Sequence, residues 1–98
     1  IMEYTIEFGQ SASDDLNYYE KYNQKIIVKA ILEYLKAGAN VESRKRKQLR
    51  PNPIAPWELR VGKYRIFYEI TESQIVKILA VGHKEHNELF VRGRKVEI

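Results

Sequence analysis

Between positions 57 and 68 the chain reads Trp57-Glu58-Leu59-Arg60-Val61-Gly62-Lys63-Tyr64-Arg65-Ile66-Phe67-Tyr68. Two alternating runs flank a Gly-Lys pair, and a Gly-X pair between such runs is typical of a β-hairpin with a two-residue loop. We therefore predict a hairpin whose loop is Gly62-Lys63. Its register pairs Val61 with Tyr64, Arg60 with Arg65, Leu59 with Ile66, Glu58 with Phe67 and Trp57 with Tyr68.

The two faces of this hairpin differ in chemistry, because successive side chains on a strand point to opposite faces. One face is apolar and aromatic and is expected to lie in the core. On the other face Arg60 lies opposite Arg65, and like charges in directly opposite positions destabilise a sheet. The arginine fork binds two phosphate oxygens at once, so an anion between the two guanidinium groups would relieve this repulsion. The core face comprises Trp57, Leu59, Val61, Tyr64, Ile66 and Tyr68.

A carboxylate, Glu58, shares the face of the two arginines. Two arginines and one carboxylate could carry out chemistry on a phosphodiester. Alternatively, Glu58 neutralises both arginines on a solvated face of the sheet. The periodicity of the sequence leaves both interpretations open.

The overall composition is that of an ordinary globular protein, with 44% hydrophobic and 31% charged residues. A chain of 98 residues can bury a modest core, and we expect one domain spanning residues 1–98. The sequence has no cysteine, which excludes a disulfide framework and a thiolate metal site. It also has no membrane-spanning apolar run and no signal-peptide pattern, so we expect a cytoplasmic protein.

The net charge of +4 is unevenly distributed along the chain. Residues 1–43 hold four lysines and seven acidic residues, whereas residues 44–98 hold thirteen basic and six acidic residues, a net charge of +7. A basic half of this kind favours nucleic acid or another polyanion, and it would equally suit an acidic protein partner. The densest basic run is either a solvated connection or a contact to a phosphate backbone. It comprises Arg44, Lys45, Arg46, Lys47 and Arg50.

The N-terminal part of the chain predicts a strand followed by two helices. Residues 2–8 alternate as a half-buried strand does. Apolar residues then recur at helical spacing from Ser13 to Ala37, and Gly38 supplies a C-terminal stop. A single helix over that span would be about 37 Å long, so we expect two helices with a bend near residues 22–24.

The first of these helices is expected to begin at Ser11 or Ser13, whose hydroxyl can cap its N-terminus. Asp14 and Asp15 would then lie in the first turn, where the helix dipole favours acidic residues. The nearby tyrosines are expected to serve packing or an interface rather than nucleotide stacking. They are Tyr18, Tyr19 and Tyr22.

After the hairpin, residues 75–81 are almost wholly apolar, which is typical of a central strand covered on both faces. We expect this strand to stop at Gly82, so that the polar residues after it project into a site. Two of them, His83 and His86, are candidate proton carriers because the unperturbed pKa of histidine is about 6.5. They could equally be surface residues near a loop. No metal site is expected, because no cysteine and no third ligand accompany them.

Three blocks of this sequence together resemble the RelE/ParE superfamily of bacterial toxins: residues 57–60, residues 64–68 and the strand end at residues 78–84. The most specific part is the Trp-Glu-Leu-Arg hairpin followed at a fixed distance by Val-Gly-His-Lys. The resemblance implies an α+β fold, in which an N-terminal strand and a two-helix hairpin pack on a mainly antiparallel β-sheet, the RelE-like microbial RNase fold. It also implies a toxin of a type II toxin–antitoxin module with a cognate antitoxin as partner.

For RelE-like members, the resemblance implies cleavage of mRNA in the A site of the ribosome. The 2′-hydroxyl of the RNA attacks the adjacent phosphate and leaves a cyclic phosphate and a free 5′-hydroxyl, without a metal or cofactor. The protein must accept a proton from the 2′-oxygen, stabilise the charge on the phosphate and protonate the leaving oxygen.

Carried over to this chain, the resemblance places Arg60 and Arg65 on the phosphate. Glu58 would be the general base, in a position where RelE has lysine. Lys84, which replaces an arginine, would assist the leaving group, or else His83 or His86 would. Phe90 stands where RelE has a tyrosine, and it can stack on a base but cannot transfer a proton. RNA contacts are expected at Arg44, Lys45, Arg46, Lys47, Arg50, Phe90 and Arg92.

Two alternatives belong to a different class of function. ParE-like relatives share the fold and inhibit DNA gyrase by binding, without cleaving RNA; the cluster of Glu, Arg, Lys and His residues disfavours this alternative. A catalytically degenerate toxin would only bind its antitoxin, and Phe90 favours that alternative.

Overall fold

The computed structural model of this protein describes residues 3–98. Within these residues it has two helices and seven strands. In chain order they are β1 (Thr5–Phe8), α1 (Gln10–Asn17), α2 (Lys21–Leu35), β2 (Arg46–Gln48), β3 (Trp57–Val61), β4 (Tyr64–Ile70), β5 (Ile75–Glu85), β6 (Glu88–Val91) and β7 (Arg94–Val96).

The hairpin of β3 and β4 has the predicted register. Val61 pairs with Tyr64 and Arg60 pairs with Arg65, and the ladder continues to Trp57 and Tyr68 as expected. The loop begins at Gly62, whose φ of 56° lies in the left-handed region that favours glycine. The predicted two-residue loop is therefore confirmed.

The sheet is mainly antiparallel, with neighbouring strands in the order β2-β3-β4-β5-β6-β7. β1 is the exception, because it pairs in parallel with the first residues of β5. β5 also pairs with β4 along one edge and with β6 at its far end, so it is the central strand that its apolar sequence predicts. The α+β fold class is confirmed.

The main core lies between the helices and one face of the sheet. Ile27, Ile31 and Leu35 of α2 are fully buried against Leu59 and Ile66 of the hairpin. Burying an aliphatic or aromatic side chain of this size stabilises a fold by about 1.5–3 kcal/mol. The apolar face predicted from the period of the hairpin is thus the face that holds the helices.

A second, smaller core lies on the opposite face of the sheet. Phe67 is fully buried there, next to Ala55 and Leu89. The irregular segment of residues 49–56 covers one side of Phe67, and the C-terminal hairpin of β6 and β7 covers the other. This face is therefore not a uniformly solvated surface.

The helices begin and break at other residues than those predicted. Gly9 precedes α1 as its N-cap with extended backbone, so neither Ser11 nor Ser13 caps the helix and the two aspartates lie in its second turn. The break between the helices spans residues 18–20, earlier than the predicted bend. β1 matches the predicted strand from Thr5 onward, and Met2 lies outside the described residues.

β5 does not stop at Gly82 but continues to Glu85, so the expected strand end was wrong. Gly82 permits a close approach instead: a Cβ atom at this position would lie 2.5 Å from the carbonyl oxygen of Phe90. In the tail, Arg92 and Gly93 form the turn between β6 and β7.

Among residues 3–98, neither helix has the length and apolar character that crossing a membrane would require. The longer one, α2, has 15 residues.

Candidate functional site

A group of charged side chains around the hairpin lies on the face of the sheet that is turned away from the helices. Lys47 of β2 pairs with Glu58, and Arg60 pairs with Arg65, which in turn pairs with Gly82 of β5. Lys84 follows Gly82 by two residues and hence points to the same side. We call this set the hairpin site: Lys47, Glu58, Arg60, Arg65 and Lys84.

Glu58 and Arg60 form a close ion pair within the hairpin site. The Nε atom of Arg60 lies 2.8 Å from Oε1 of Glu58. The carboxylate side chain is only 5% exposed, whereas that of Arg60 is 48% exposed. The carboxylate is therefore buried beside a half-exposed guanidinium, which a ligand approaching this face meets first.

Arg65 is held by backbone carbonyls rather than by a carboxylate. Its Nη1 donates to the carbonyl oxygens of Gly62 at 2.8 Å and Tyr64 at 2.9 Å. Burial lowers the pKa of Arg65, the charge of Arg60 lowers it further and Glu58 opposes both. Arginine nevertheless stays charged in proteins.

The two arginines keep hydrogen-bond donors for a ligand. Within residues 3–98, the structure gives no protein partner to the terminal Nη atoms of Arg60 or to Nε and Nη2 of Arg65. Opposite residues of antiparallel strands have Cβ atoms about 5 Å apart. The pair can therefore present two forks to one phosphate group.

His83 lies on the other face of the sheet, under the helices. Its Nδ1 atom is 2.6 Å from the hydroxyl of Tyr19, and its Nε2 atom is 2.7 Å from Oε2 of Glu85. The Phe90 ring, at the paired position on β6, stacks on the imidazole with centroids 5.8 Å apart. His83, expected as an alternative to Lys84 at the leaving group, therefore lies across the sheet from Glu58, and Phe90 does not join the arginine face.

The comparisons with known proteins agree with this architecture. The family model of the ParE toxin of the type II toxin–antitoxin system parDE matches residues 6–88. The chain belongs to this toxin family. Among solved structures, a chain of the RelBE2 toxin–antitoxin complex from Mycobacterium tuberculosis is similar, with 28% identity and a TM-score of 0.71. The alignment covers 84% of this toxin and 99% of that chain.

The comparison with curated proteins found no match. The predicted membership in the RelE/ParE superfamily is nevertheless confirmed by the family match and the structural similarity. The toxin is thus one of the type II toxin–antitoxin toxins. The family match ends at the first residue of β6, so most of the C-terminal hairpin lies outside it.

His86 lies apart from the hairpin site of the toxin. It is exposed in the turn between β5 and β6, with a φ of 51°. Lys84 is the last residue of β5 that points to the arginine face, so His86 lies beyond that strand's contribution. The structure therefore does not bring either histidine into the ladder positions that hold Glu58, Arg60 and Arg65.

Three of the basic residues predicted to bind RNA have structural partners. Arg46 donates to the carbonyl oxygens of Val41 at 2.9 Å and Tyr34 at 3.0 Å, behind the end of α2. Lys45 lies over the Tyr34 ring, 5.2 Å from its centroid. Arg92 forms an ion pair with Asp15 at 2.8 Å. These contacts engage part of each side chain within the toxin, and RNA binding by the three residues stays a prediction.

The remaining predicted RNA contacts differ in position. Lys47 joins the hairpin site directly opposite Glu58. Arg44 and Arg50 are exposed at the two ends of the basic run. Arg50 also borders a cavity of about 500 Å³ beneath the segment of residues 49–56. That cavity lies on the second core, and neither Arg60 nor Arg65 lines it.

Asp15 of α1 has a tertiary role beyond the helix-dipole contribution expected from the sequence. It is 1% exposed, and its Oδ2 atom accepts the backbone N–H of Val81 at 3.0 Å. Burial raises the pKa of Asp15, while the Val81 hydrogen bond and Arg92 oppose that shift. Nothing local in the sequence marks this residue, because both of its partners lie more than 60 residues away.

Proposed function

We propose that this toxin cleaves mRNA in the A site of the ribosome, by attack of the RNA's 2′-hydroxyl on the adjacent phosphate. The single observation that supports this proposal is the cross-strand pair of Arg60 and Arg65. Both guanidinium groups face away from the helices and have unpartnered donors within the described chain. Repulsion between two directly opposite arginines destabilises the sheet, and a bound phosphate offsets this repulsion.

In this proposal each group of the hairpin site has one role. Arg60 and Arg65 bind the non-bridging oxygens of the scissile phosphate and stabilise the charge that develops there. Glu58 accepts the proton of the 2′-hydroxyl as the new bond to phosphorus forms. Lys84 gives a proton to the 5′-oxygen as its bond to phosphorus breaks. The products are a 2′,3′-cyclic phosphate and a 5′-hydroxyl.

The ion pair of Glu58 and Arg60 adds a condition to this mechanism. Because Nε of Arg60 contacts Oε1 of Glu58, the 2′-hydroxyl would have to reach Oε2, the other oxygen of the carboxylate. The Nη atoms of Arg60 have no protein partner within residues 3–98 and can bind phosphate while Nε keeps its contact with the carboxylate.

The position of Lys84 suits its role at the leaving group. It lies on β5 two residues beyond Gly82, which pairs with Arg65, so it is displaced by about 6.6 Å along the strand. A lysine side chain spans this distance. No histidine occupies the same face of β5, which leaves Lys84 as the acid in this proposal.

Toeprinting on programmed ribosomes tests the proposal. The wild-type toxin is expected to create new mRNA ends in the A-site codon, and Arg65→Ala is expected to abolish them. Arg94→Ala removes an exposed arginine of β7 without an assigned role and should leave the ends unchanged. Ribosomes on which folded wild-type toxin leaves intact mRNA would refute the proposal.

A second candidate function is inhibition of DNA gyrase by binding. Two observations favour it: the matching family is that of the ParE toxin, and both His83 and Phe90 lie away from the arginine face. A supercoiling assay separates the candidates. Inhibited supercoiling with intact mRNA supports this second function, and a toxin without either effect would be one that only binds its antitoxin.

We also propose that the cognate antitoxin docks on the solvent face of α2. That face holds a groove of about 440 Å³ that includes Val28 and Leu32, and Leu32 is 47% exposed. No acidic residue lines the groove. Its other lining residues are three lysines and a glutamine: Lys21, Lys25, Lys29 and Gln24. Such a groove fits an acidic segment with apolar side chains at helical spacing. The similar RelBE2 structure is itself a toxin–antitoxin complex.

Charge reversal tests this docking surface. Lys25→Glu and Leu32→Asp should each weaken antitoxin binding at least about tenfold, since each places a buried or like charge in the interface. Lys36→Glu, which changes an exposed lysine outside the groove, is the matched control. If all three variants bind the antitoxin with wild-type affinity, the antitoxin binds elsewhere.

A further inference from the structure

His83 is fixed by three neighbours on the helix side of the sheet. Tyr19 lies at its Nδ1, Glu85 at its Nε2 and the Phe90 ring against its face, with 22° between the ring planes. The His83 side chain is only 9% exposed. One tautomer satisfies both nitrogens, because the Tyr19 hydroxyl can donate to Nδ1 while Nε2–H donates to the carboxylate.

This hydrogen-bond chain lies where β5 loses a neighbour. The ladder between β4 and β5 ends at the pair of Tyr64 and His83, and the last residues of β5 pair only with β6. Beyond that point Lys84 keeps one link to the first hairpin, from its N–H to the carbonyl of Lys63 at 2.8 Å. A strand end with fewer partners opens more readily than the centre of a sheet.

Tyr19 joins this strand end to another part of the fold. It lies in the connection between α1 and α2, and its ring meets the edge of Tyr64 with centroids 5.3 Å apart. Burial raises the pKa of Tyr19, so its hydroxyl remains protonated at neutral pH and stays a donor. The connection between the helices therefore holds the end of β5 through one hydroxyl group.

We propose that the chain Tyr19–His83–Glu85 positions Lys84 for a phosphodiester bound at the hairpin site. His83 and Lys84 are neighbours on one strand and point to opposite faces, so the backbone that orients one orients the other. Tyr19 and His83 are positioning residues and do not touch the RNA. The catalytic consequence rests on the proposed RNA cleavage, whereas the effect on the strand end does not.

Amide hydrogen exchange tests the effect on the strand end without any substrate. Tyr19→Phe removes only the hydroxyl and should speed exchange of the Lys84 amide about tenfold, with little change at Ile66 in the centre of β4. Tyr22→Phe removes a hydroxyl from a side chain that is 75% exposed and serves as the matched control. Unchanged Lys84 exchange in Tyr19→Phe, or equal acceleration throughout the sheet, would overturn the proposal.

A double-mutant cycle tests the catalytic consequence. In single-turnover cleavage, Tyr19→Phe should lower the rate constant about tenfold in the wild-type background and not lower it further in the Lys84→Ala background. KM should stay within about twofold, because the phosphate-binding arginines are untouched. Equal losses in both backgrounds would show that Tyr19 does not act through Lys84. If the wild-type toxin cleaves no RNA, the proposed function fails and hydrogen exchange alone decides the positioning claim.

Discussion

Asp15 of α1 accepts a hydrogen bond from the backbone N–H of Val81, at 3.0 Å. Val81 lies in the interval of β5 between the residues that pair with β1 and those that pair with β6. The buried carboxylate therefore satisfies a backbone donor where the sheet edge lacks a strand. Its other oxygen meets Arg92, which ties the turn after β6 to the same helix.

Removal of the Asp15 carboxylate should destabilise the toxin through this donor. Asp15→Ala leaves the Val81 N–H buried without a partner, which costs about 1–3 kcal/mol of unfolding free energy. Asp15→Asn keeps an oxygen that can accept the hydrogen bond and should lose less. Denaturant unfolding measures both variants, and an alanine variant as stable as the asparagine variant would show that the hydrogen bond contributes nothing.

Arg92→Ala should make stability depend more strongly on pH. Burial raises the pKa of Asp15 in the folded state, so its ionisation opposes folding as the pH rises above the ordinary value of 3.8. Without Arg92 that pKa rises further, because an opposing charge is lost. The variant should therefore lose more stability relative to wild type at pH 7 than at about pH 4. The same loss at both pH values would contradict this account of the ion pair.

Gly82→Ala should disturb the contact between β5 and β6. The added methyl would lie 2.5 Å from the Phe90 carbonyl oxygen, and backbone cannot give way as a flexible side chain does. We expect a loss of at least about 1–3 kcal/mol. Gly62→Ala is an informative comparison, because its new methyl group meets no atom within 4 Å. Its loss of unfolding free energy comes only from the backbone strain of an alanine at a φ of 56°. A smaller loss for Gly82→Ala than for Gly62→Ala would contradict the close approach.

Glu58→Gln separates the two roles that the sequence left open. As general base, the carboxylate should be worth about 10²–10⁴ in cleavage rate, and the isosteric amide cannot replace it. As a neutralising partner of Arg60 alone, it should affect stability and RNA affinity far more than the rate of the bound complex. Single-turnover rates at saturating toxin distinguish these outcomes, since an unchanged rate would remove Glu58 from the proton transfer.

The hairpin could be predicted to the residue, because its determinants are local. The loop residues Gly62-Lys63 and the alternation on either side of them specify both the register and the core face. The central position of β5 followed in the same way from its apolar run. These features depend on the pattern of neighbouring residues and not on distant contacts.

The predicted strand end at Gly82 was wrong for one identifiable reason. Gly82 has the features of a strand end, and a strand that stops there leaves the direction of the next side chains free. Because the strand continues, alternation places His83 and Lys84 on opposite faces. The close approach of Phe90 that explains the glycine is a tertiary contact, which the sequence alone does not reveal.

The basic run illustrates a second limit of the sequence. Arg46 and Lys47 are neighbours of the same chemical type, yet one closes the end of α2 and the other faces Glu58. Their different roles follow from the pairing with β3 of the edge strand β2, which has only three residues. Composition could predict a basic surface but not which of its side chains are available.

The chemistry of the RNA ends is the most direct test of the central claim, that Arg60 and Arg65 hold a phosphodiester for attack by its own 2′-hydroxyl. The measurement is end-group analysis of mRNA recovered from programmed ribosomes treated with the toxin. We expect fragments with a 5′-hydroxyl that a kinase labels directly, opposite a 2′,3′-cyclic phosphate, and none with Arg65→Ala. Fragments that carry a 5′-phosphate, or intact mRNA in the presence of folded toxin, would contradict it.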